Sequence, residues 1–222
     1  NVYVACDSSS EANSARSSMI SAGADPDRVF TFVHSTDTVW IRDYGPRYIF
    51  EGQCRAIVDH TYNRPRPNDD AWSSWFTNQM GHAFYEHALV HGGGNYHING
   101  IGTSAATRLI SNENGWMSDA EIIGIWRDFQ NVETYLHDPF PTSVDSTQHI
   151  DMWMQIVGDD RIIISDWPTA RRLDAEISPP MRMPWVSPLP AGTPRGSVSS
   201  SNEDSGAFAP ASVRATSRRG CE

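Results

Sequence analysis

Three short segments of the sequence contain side chains that could bind a ligand and transfer a proton. They are Trp40–Pro46 (WIRDYGP), His91–Tyr96 (HGGGNY) and His149–Met152 (HIDM). Carboxylates accept several hydrogen bonds, and imidazoles gain or lose a proton near neutral pH. The residue types are therefore those of an acid–base site, provided that the fold brings the segments together.

Each segment also has a purely structural interpretation. Asp43 follows an arginine at a strand-to-turn junction, where aspartate commonly caps or turns the chain. The glycines of Gly92–Gly94 are typical of a backbone that needs positive φ or close approach. His149 and Asp151, two residues apart, would lie on one face of a strand and form ordinary hydrogen bonds. Taken singly, no segment identifies a function.

Two other chemistries can be compared with the sequence. His91–Gly94 (HGGG) matches the oxyanion-hole stretch of some lipases, but the Gly-x-Ser-x-Gly nucleophile turn that this mechanism needs is absent. Four histidines occur within a short stretch, yet their spacing matches neither the His-Glu-x-x-His helix nor a zinc knuckle. We therefore predict neither an esterase nor a metal site. The histidines are His82, His87, His91 and His97.

In combination, the segments resemble a known family. The motifs follow the order found in bacterial peptidylarginine deiminases and their agmatine deiminase relatives. That order is WIRDYGP, then GGNY followed by NGIGT at residues 99–103, then HIDM. The stretch Tyr62–Asp70 (YNRPRPNDD) is more similar to the peptidylarginine branch. The resemblance covers roughly residues 1 to 175 of the 222 and does not extend into the tail.

The resemblance implies both a fold and a reaction. The fold would be α/β, a pseudo-symmetric propeller of five modules (a pentein), incomplete here with about three modules. The reaction would be hydrolysis of the guanidino group of arginine, preferably a C-terminal peptidyl arginine, to citrulline and ammonia. Two alternatives stay open: agmatine deimination to N-carbamoylputrescine and ammonia, and a catalytically dead module that binds guanidinium groups. No cofactor is implied.

The resemblance also assigns residues to the site. Asp43 and Asp151 would bind the planar guanidinium, because carboxylates form paired, charge-assisted hydrogen bonds with it. His149 would protonate the departing ammonia and then activate water. Trp40 would form an apolar wall beside the substrate. Arg64 and Arg66 would bind a substrate carboxylate, although a solvated loop stiffened by proline explains this pair equally well.

The family's nucleophile is a cysteine near the C-terminus, in a Gly-rich stretch followed by His-Cys. Cys221 has the right order but lies in RRGCE at the end of the chain, and Cys6 and Cys54 resemble small buried apolar residues. We therefore expect the chain as given to lack the nucleophile and to be inactive. Loss of the reading frame just past Arg172 would explain the divergent tail.

The elements that must position these residues alternate between strand and helix patterns. Strand patterns occur over residues 1–5, 28–33, 47–50, 55–58, 88–90, 132–136, 152–157 and 161–164. Helices are predicted for a Ser/Ala-rich stretch ending at Gly23 and for residues 71–85 and 118–129. The first strand, helix and strand form a βαβ-like unit. A mixed α/β architecture follows.

Composition divides the chain at about residue 177. Residues 178–222 hold 7 of the 14 prolines and 9 serines, with 5 Arg against 3 acidic residues, whereas the part before them has 12 Arg against 24 acids. We predict a partial deiminase-like domain over residues 1–177 and a disordered tail over residues 178–222.

Charge and hydropathy limit the partners. A net charge of -10 argues against nucleic acid, which binds clustered cations. Without a long apolar span, we expect no membrane partner, and the expected ligand is a small molecule or peptide bearing a guanidinium group. Localisation, secreted or cytoplasmic, is not indicated by the sequence.

Overall fold

The computed structural model describes residues 1–165, in which ten strands and six helices alternate. The predicted disordered tail and Cys221 lie outside the described residues. The strands are β1 Val2–Cys6, β2 Val29–Val33, β3 Arg47–Glu51, β4 Cys54–Tyr62, β5 Ala83–His91, β6 His97–Ile98, β7 Thr103–Thr107, β8 Glu133–His137, β9 Met154–Gly158 and β10 Arg161–Ile164. The helices are α1 Ser9–Ser21, α2 Ile41–Tyr44, α3 Pro67–Asp70, α4 Trp72–Met80, α5 Leu109–Glu113 and α6 Asp119–Gln130.

The N-terminal strands form the predicted βαβ unit. β1 and β2 pair in parallel and α1 connects them. The side chain of Ser8 caps α1 by accepting a hydrogen bond from the backbone N–H of Glu11 at 3.2 Å. Beyond the helix, Gly23 has a φ of 98°, a conformation that glycine adopts without a steric penalty. The expected stop at Gly23 is confirmed.

The next two sheets repeat one pattern of pairing. β3 and β4 are antiparallel, and β4 then pairs in parallel with β5 after α3 and α4. In the same way, β6 and β7 are antiparallel, and β7 pairs in parallel with β8 after α5 and α6. β9 and β10 form a further antiparallel pair. The described residues thus contain two consecutive ββαβ units, flanked by the βαβ unit and a hairpin.

Apolar side chains of the helices and sheets form the core of each unit. In the second ββαβ unit, Trp126 of α6 is fully buried and stacks on Tyr96, with ring centroids 4.6 Å apart. In the first, Phe76 of α4 stacks on Trp72 at 4.8 Å. A capping box between Ser118 and Glu121 begins α6. Packing of helix against sheet in this way fixes the ends of the strands, where the three segments lie.

One predicted element has the wrong boundaries. The sequence predicts a helix over residues 71–85, but α4 ends at Met80 and residues 83–85 begin β5. The physical reason is Gly81, whose φ of 66° ends the helix in the left-handed conformation. The predicted strands 55–58 and 88–90 are parts of the longer β4 and β5. Among residues 1–165, no helix has the length and apolar character needed to span a bilayer.

Candidate functional site

The three segments singled out in the sequence occupy equivalent places in the chain. Each follows the last strand of one unit and precedes the first strand of the next. Trp40–Pro46 lies between β2 and β3, and His149–Met152 lies between β8 and β9. His91–Tyr96 begins with the last residue of β5 and ends just before β6. Successive units therefore each contribute one segment to a common site.

Asp43 lies in the short helix α2, and its carboxylate contacts the glycine segment. The backbone N–H of Gly94 donates to Oδ1 of Asp43 at 2.9 Å. His60 of β4 donates from Nε2 to the backbone carbonyl of Asp43 at 3.0 Å. The Asp43 side chain is 18 % exposed, so it is fixed by protein contacts while remaining accessible to a ligand.

The glycines allow close approach of the backbone to its neighbours. A Cβ on Gly93 would overlap the carbonyl of Arg42 and the guanidinium of Arg47, and none of Gly92–Gly94 has positive φ. Of the two structural explanations that the sequence allowed, close packing applies and left-handed backbone does not. A side chain at Gly93 would push the segment away from α2.

Gly94 marks the point at which the candidate polar groups converge. A Cβ built there would lie 2.6 Å from Nδ1 of His149, 2.7 Å from Oδ2 of Asp151 and 2.8 Å from Oδ1 of Asp43. Two carboxylates and one imidazole therefore surround a single backbone position. His149 Nδ1 is also 3.6 Å from Asp43 Oδ1, and its side chain is only 8 % exposed.

His149 and Asp151 are brought together by a turn. The prediction that both lie on one face of a strand is wrong, because Ile150–Met152 form a single 3-10 turn and β9 begins only at Met154. His149 precedes the turn in an extended conformation. A turn rotates successive side chains about its axis, which lets both side chains face Gly94 although they are only two residues apart.

Asn95 fixes this turn from within the protein. Its Oδ1 accepts hydrogen bonds from the backbone N–H groups of Thr107 (2.9 Å) and Ile150 (3.2 Å), and from the Thr107 hydroxyl (2.9 Å). Asn95 is 1 % exposed. One buried amide thus connects the glycine segment, the end of β7 and the His149 turn.

The two carboxylates affect each other electrostatically. Burial raises the pKa of Asp151, and the neighbouring Asp43 raises it further, while His149 has the opposite effect. Asp151 is nevertheless exposed on one side. Because the charged form of Asp151 is disfavoured without a partner, a bound cation would stabilise it.

Arg47 is a buried arginine that the sequence did not indicate, and it contacts the glycine segment. Nη2 of Arg47 donates to the carbonyl of Gly93 at 2.7 Å, and its guanidinium lies 4.7 Å from the centroid of the Tyr96 ring. Burial lowers the Arg47 pKa to about 10, which leaves the group cationic at neutral pH. An arginine beginning a strand carries no sequence signal that separates it from an ordinary surface residue.

The crowded histidines pack with each other and with Arg42. The His91 ring stacks on His60 at 3.9 Å, and Arg42 Nη2 donates to His97 Nε2 at 3.1 Å. Burial lowers the pKa of His91, and of His87 to about 4, so both rings are neutral at physiological pH. Within residues 1–165 there is no group of three or more His, Cys, Asp or Glu able to hold a metal ion.

The three predicted substrate-binding residues surround the site less closely. Trp40 directly precedes α2 and is 59 % exposed. Arg66 donates to the Tyr62 hydroxyl at 3.0 Å, whereas Arg64 is exposed. Arg64 adjoins Asn63, whose Oδ1 would be 3.4 Å from a Cβ on Gly92. The fold thus places this loop beside the glycine segment.

The cysteines within the described residues do not have the surroundings of a nucleophile. Cys6 is buried, and burial together with Glu11 and Asp7 raises its pKa, which opposes formation of the reactive thiolate. Cys54, the first residue of β4, is half-buried and disulfide-bonded, so it presents no free thiol, and its prediction as a small buried apolar residue is wrong. We infer no nucleophile from either residue.

Comparison with known proteins identifies a family and similar proteins. The family model described as Porphyromonas-type peptidyl-arginine deiminase matches residues 1–182. A Shewanella baltica protein provisionally named agmatine deiminase is 30 % identical over 142 residues, which cover 57 % of this chain and 38 % of that protein. The chain thus spans well under half the length of the curated relatives that it matches.

Solved structures of similar fold belong to the same group of enzymes. A substrate-bound agmatine deiminase of C. jejuni superposes with a TM-score of 0.61 at 19 % identity, covering 73 % of this chain and 50 % of that one. A provisional arginine deiminase of Porphyromonas gingivalis gives a TM-score of 0.60 at 20 % identity, with coverages of 75 % and 53 %. At such identities the likeness shows a shared mixed α/β fold.

Proposed function

Because this chain belongs to the Porphyromonas-type peptidyl-arginine deiminase family, we propose that the intact protein hydrolyses a guanidino group to a ureido group and ammonia. The observation that carries the proposal is the convergence of Asp43, His149 and Asp151 around Gly94. A family model supplies the reaction class, and this geometry supplies groups suited to it.

The two aspartates fit a planar cation. A guanidinium presents N–H groups in one plane, and a pair of carboxylates can bind several of them at once. The raised pKa of Asp151 fits this function, because the positive ligand offsets the cost of holding two negative groups close together. We assign Asp43 and Asp151 to guanidinium binding, with Trp40 as the apolar wall.

His149 is suited to proton transfer at the same point. Its Nδ1 faces the carboxylates, within reach of a nitrogen bound between them. In the proposed reaction a thiolate attacks the guanidinium carbon, the C–N bond breaks, and His149 gives its proton to the leaving ammonia. His149 then takes a proton from water, which adds to the carbon and expels the thiolate. We propose that the thiol comes from outside residues 1–165.

Agmatine and arginine are the two candidate substrates. The named relatives favour agmatine at least as strongly as the family model favours peptidyl arginine. Peptidyl or free arginine is supported by Arg64 and Arg66, because paired guanidinium groups suit a carboxylate, which agmatine lacks. The preference for peptidyl arginine derived from the sequence therefore stands as one of two proposals.

The repeated units support a ring-shaped fold for the intact protein. Two ββαβ units follow one another, and each unit boundary contributes one segment to the site. Such a placement is expected if units are arranged around a central site, as in the five-module propeller that the family resemblance implies. We propose that the described residues form about three of those modules.

Calorimetry on this chain tests the proposal without requiring turnover. Agmatine, an arginine-ended peptide and, as a control, putrescine would be titrated into the wild type and into Asp43→Asn. We expect guanidino compounds to bind and putrescine not to, with binding weakened at least tenfold in Asp43→Asn, since a charged hydrogen bond contributes ~1.5–3 kcal/mol. Equal binding by wild type and variant, or no binding by either, would contradict the proposal.

A turnover assay on the intact protein separates the substrates. Ammonia release from agmatine and from the peptide would be compared in the wild type and in Arg64→Ala with Arg66→Ala. A selective rise in KM for the peptide supports the arginine assignment. Unchanged peptide kinetics, with faster turnover of agmatine, would establish agmatine as the substrate and leave the two arginines without a substrate-binding function.

A further inference from the structure

The second ring nitrogen of His149 lies near a buried amide oxygen, and both atoms are without a hydrogen-bond partner among the described residues. Nε2 of His149 is buried and forms no hydrogen bond with any described residue. Its neighbour across Gly92 is Oδ1 of Asn63, which is likewise buried and unpaired. A Cβ on Gly92 would lie 3.2 Å from Nε2 and 3.4 Å from Oδ1, so the two atoms line one small space.

Glu113 determines which way the Asn63 amide points. Nδ2 of Asn63 donates to Oε1 of Glu113 at 2.5 Å. An ionised carboxylate can only accept hydrogen bonds, so the amide nitrogen must face Glu113 and the amide oxygen must face away from it. That direction leads to Gly92 and His149. The arrangement therefore presents an acceptor to a ring nitrogen that can donate.

The backbone around Glu113 holds this pair in place. Glu113 is the last residue of α5, and the following Asn114 is fully buried. Its side chain donates to the carbonyl of Val90 at 2.8 Å and accepts from the N–H of Val90 at 2.9 Å. Because Val90 lies two residues before Gly92, these bonds fix the end of α5 beside the glycine segment.

We propose that Asn63, oriented by Glu113, is a positioning residue for His149. Its Oδ1 accepts a hydrogen bond from Nε2–H through one water molecule beside Gly92. A neutral ring held in this way carries its proton on Nε2 and keeps Nδ1 on the side of Asp43 and Asp151. Nδ1 is then the nitrogen that gains the proton passed to ammonia and later accepts one from water. The purpose of this arrangement rests on the function proposed above, but its existence can be tested without substrate.

The test is the tautomer of His149, read by nitrogen-detected NMR of its imidazole in the unliganded chain. His149→Gln identifies the signals. In the wild type we expect the neutral ring to be protonated on Nε2. In Asn63→Ala the acceptor is gone, and a large fraction of the neutral ring should carry its proton on Nδ1. Asn78→Ala is the matched control, because Asn78 bonds only to Ser74 in the exposed surface of α4.

Two milder variants keep the test decisive if Asn63→Ala does not fold. Asn63→Asp places a carboxylate beside Nε2 and should keep the proton of the neutral ring on that nitrogen. Glu113→Gln allows the Asn63 amide to reverse and should reduce the Nε2 tautomer. An unchanged tautomer in Asn63→Ala or Glu113→Gln, or loss of the Nε2 tautomer in Asn63→Asp, would overturn the inference.

The outcomes also separate this inference from the proposed function. If calorimetry finds no guanidino binding but the tautomer responds to Asn63, the positioning bond exists and the assigned reaction is wrong. If agmatine binds and the tautomer of His149 is unchanged in the Asn63 variants, the proposed reaction is supported and another group orients His149.

Discussion

The backbone N–H of Gly94 donates to the Asp43 carboxylate at 2.9 Å, which ties the segment after β2 to the segment after β5. The bond requires the two backbones to lie in contact, and that contact exists only because residue 94 has no side chain. One oxygen of Asp43 therefore joins the two segments, and the carboxylate, 18 % exposed, remains accessible to a ligand.

Gly94→Ala should abolish guanidino binding while Gly115→Ala should not affect it. The new Cβ at residue 94 would overlap His149, Asp151 and Asp43, whereas the nearest atom to a Cβ at Gly115 is 3.9 Å away. Calorimetry with agmatine checks the binding, and thermal melts check that both variants fold. Retained affinity in Gly94→Ala would show that the ligand binds elsewhere.

Asp151→Asn should remove a pH dependence of ligand binding. Cation binding requires ionised Asp151, whose raised pKa means that affinity falls, as pH is lowered, sooner than for an ordinary aspartate. We expect wild-type affinity to begin to fall at a pH above the ~3.9 of an ordinary aspartate, and the weaker binding of Asp151→Asn to vary less. Asp128→Asn on the exposed face of α6 serves as the control. Parallel curves for wild type and Asp151→Asn would refute the assignment.

Asp59→Asn should stabilise the fold at alkaline pH. Burial raises the pKa of Asp59 to about 7, far above the ~3.9 of an unfolded chain. The folded state therefore binds the proton more tightly, so stability is highest below pH 4 for this group and declines as pH rises to about 7. Urea unfolding at pH 5 and pH 8 should show a loss in the wild type that Asp59→Asn lacks, by about 1 kcal/mol or more. An identical loss in both proteins would contradict this.

Asn95→Ala should destabilise the chain and loosen the His149 turn. Removing Oδ1 leaves buried donors on Thr107 and Ile150 without an acceptor, at ~1–3 kcal/mol for each unsatisfied group. Chemical denaturation measures the loss, with exposed Asn112→Ala as the matched control. A change no larger than that of the control would mean that other groups fix the turn.

Local patterns predicted most of the elements because the information for them is local. The first βαβ unit and helix α6 follow from alternation, capping residues and helix composition over a dozen residues. The helix predicted over residues 71–85 failed at Gly81, since a left-handed glycine within a continuous apolar pattern is not visible without backbone geometry.

The site was predictable only as a set of segments. Motif resemblance grouped Asp43, His149 and Asp151 and predicted the family, which the family model confirms. It could not show that a turn rather than a strand aligns the last two residues. The hydrogen bond between Asn63 and Glu113 joins residues 50 apart in sequence, and only tertiary packing brings them together. Buried Arg47 gave no local signal for the same reason.

The three site segments each come from a different junction between units. A ligand bound to all of them would therefore affect how strongly the units are held together. A cation bound by all three segments would contact the βαβ unit and both ββαβ units at once. Separating any one unit from the others would also release the ligand. The free energy of ligand binding would therefore add to the free energy needed to separate that unit. Ligand binding would thus make these neighbouring units unfold together in one cooperative transition.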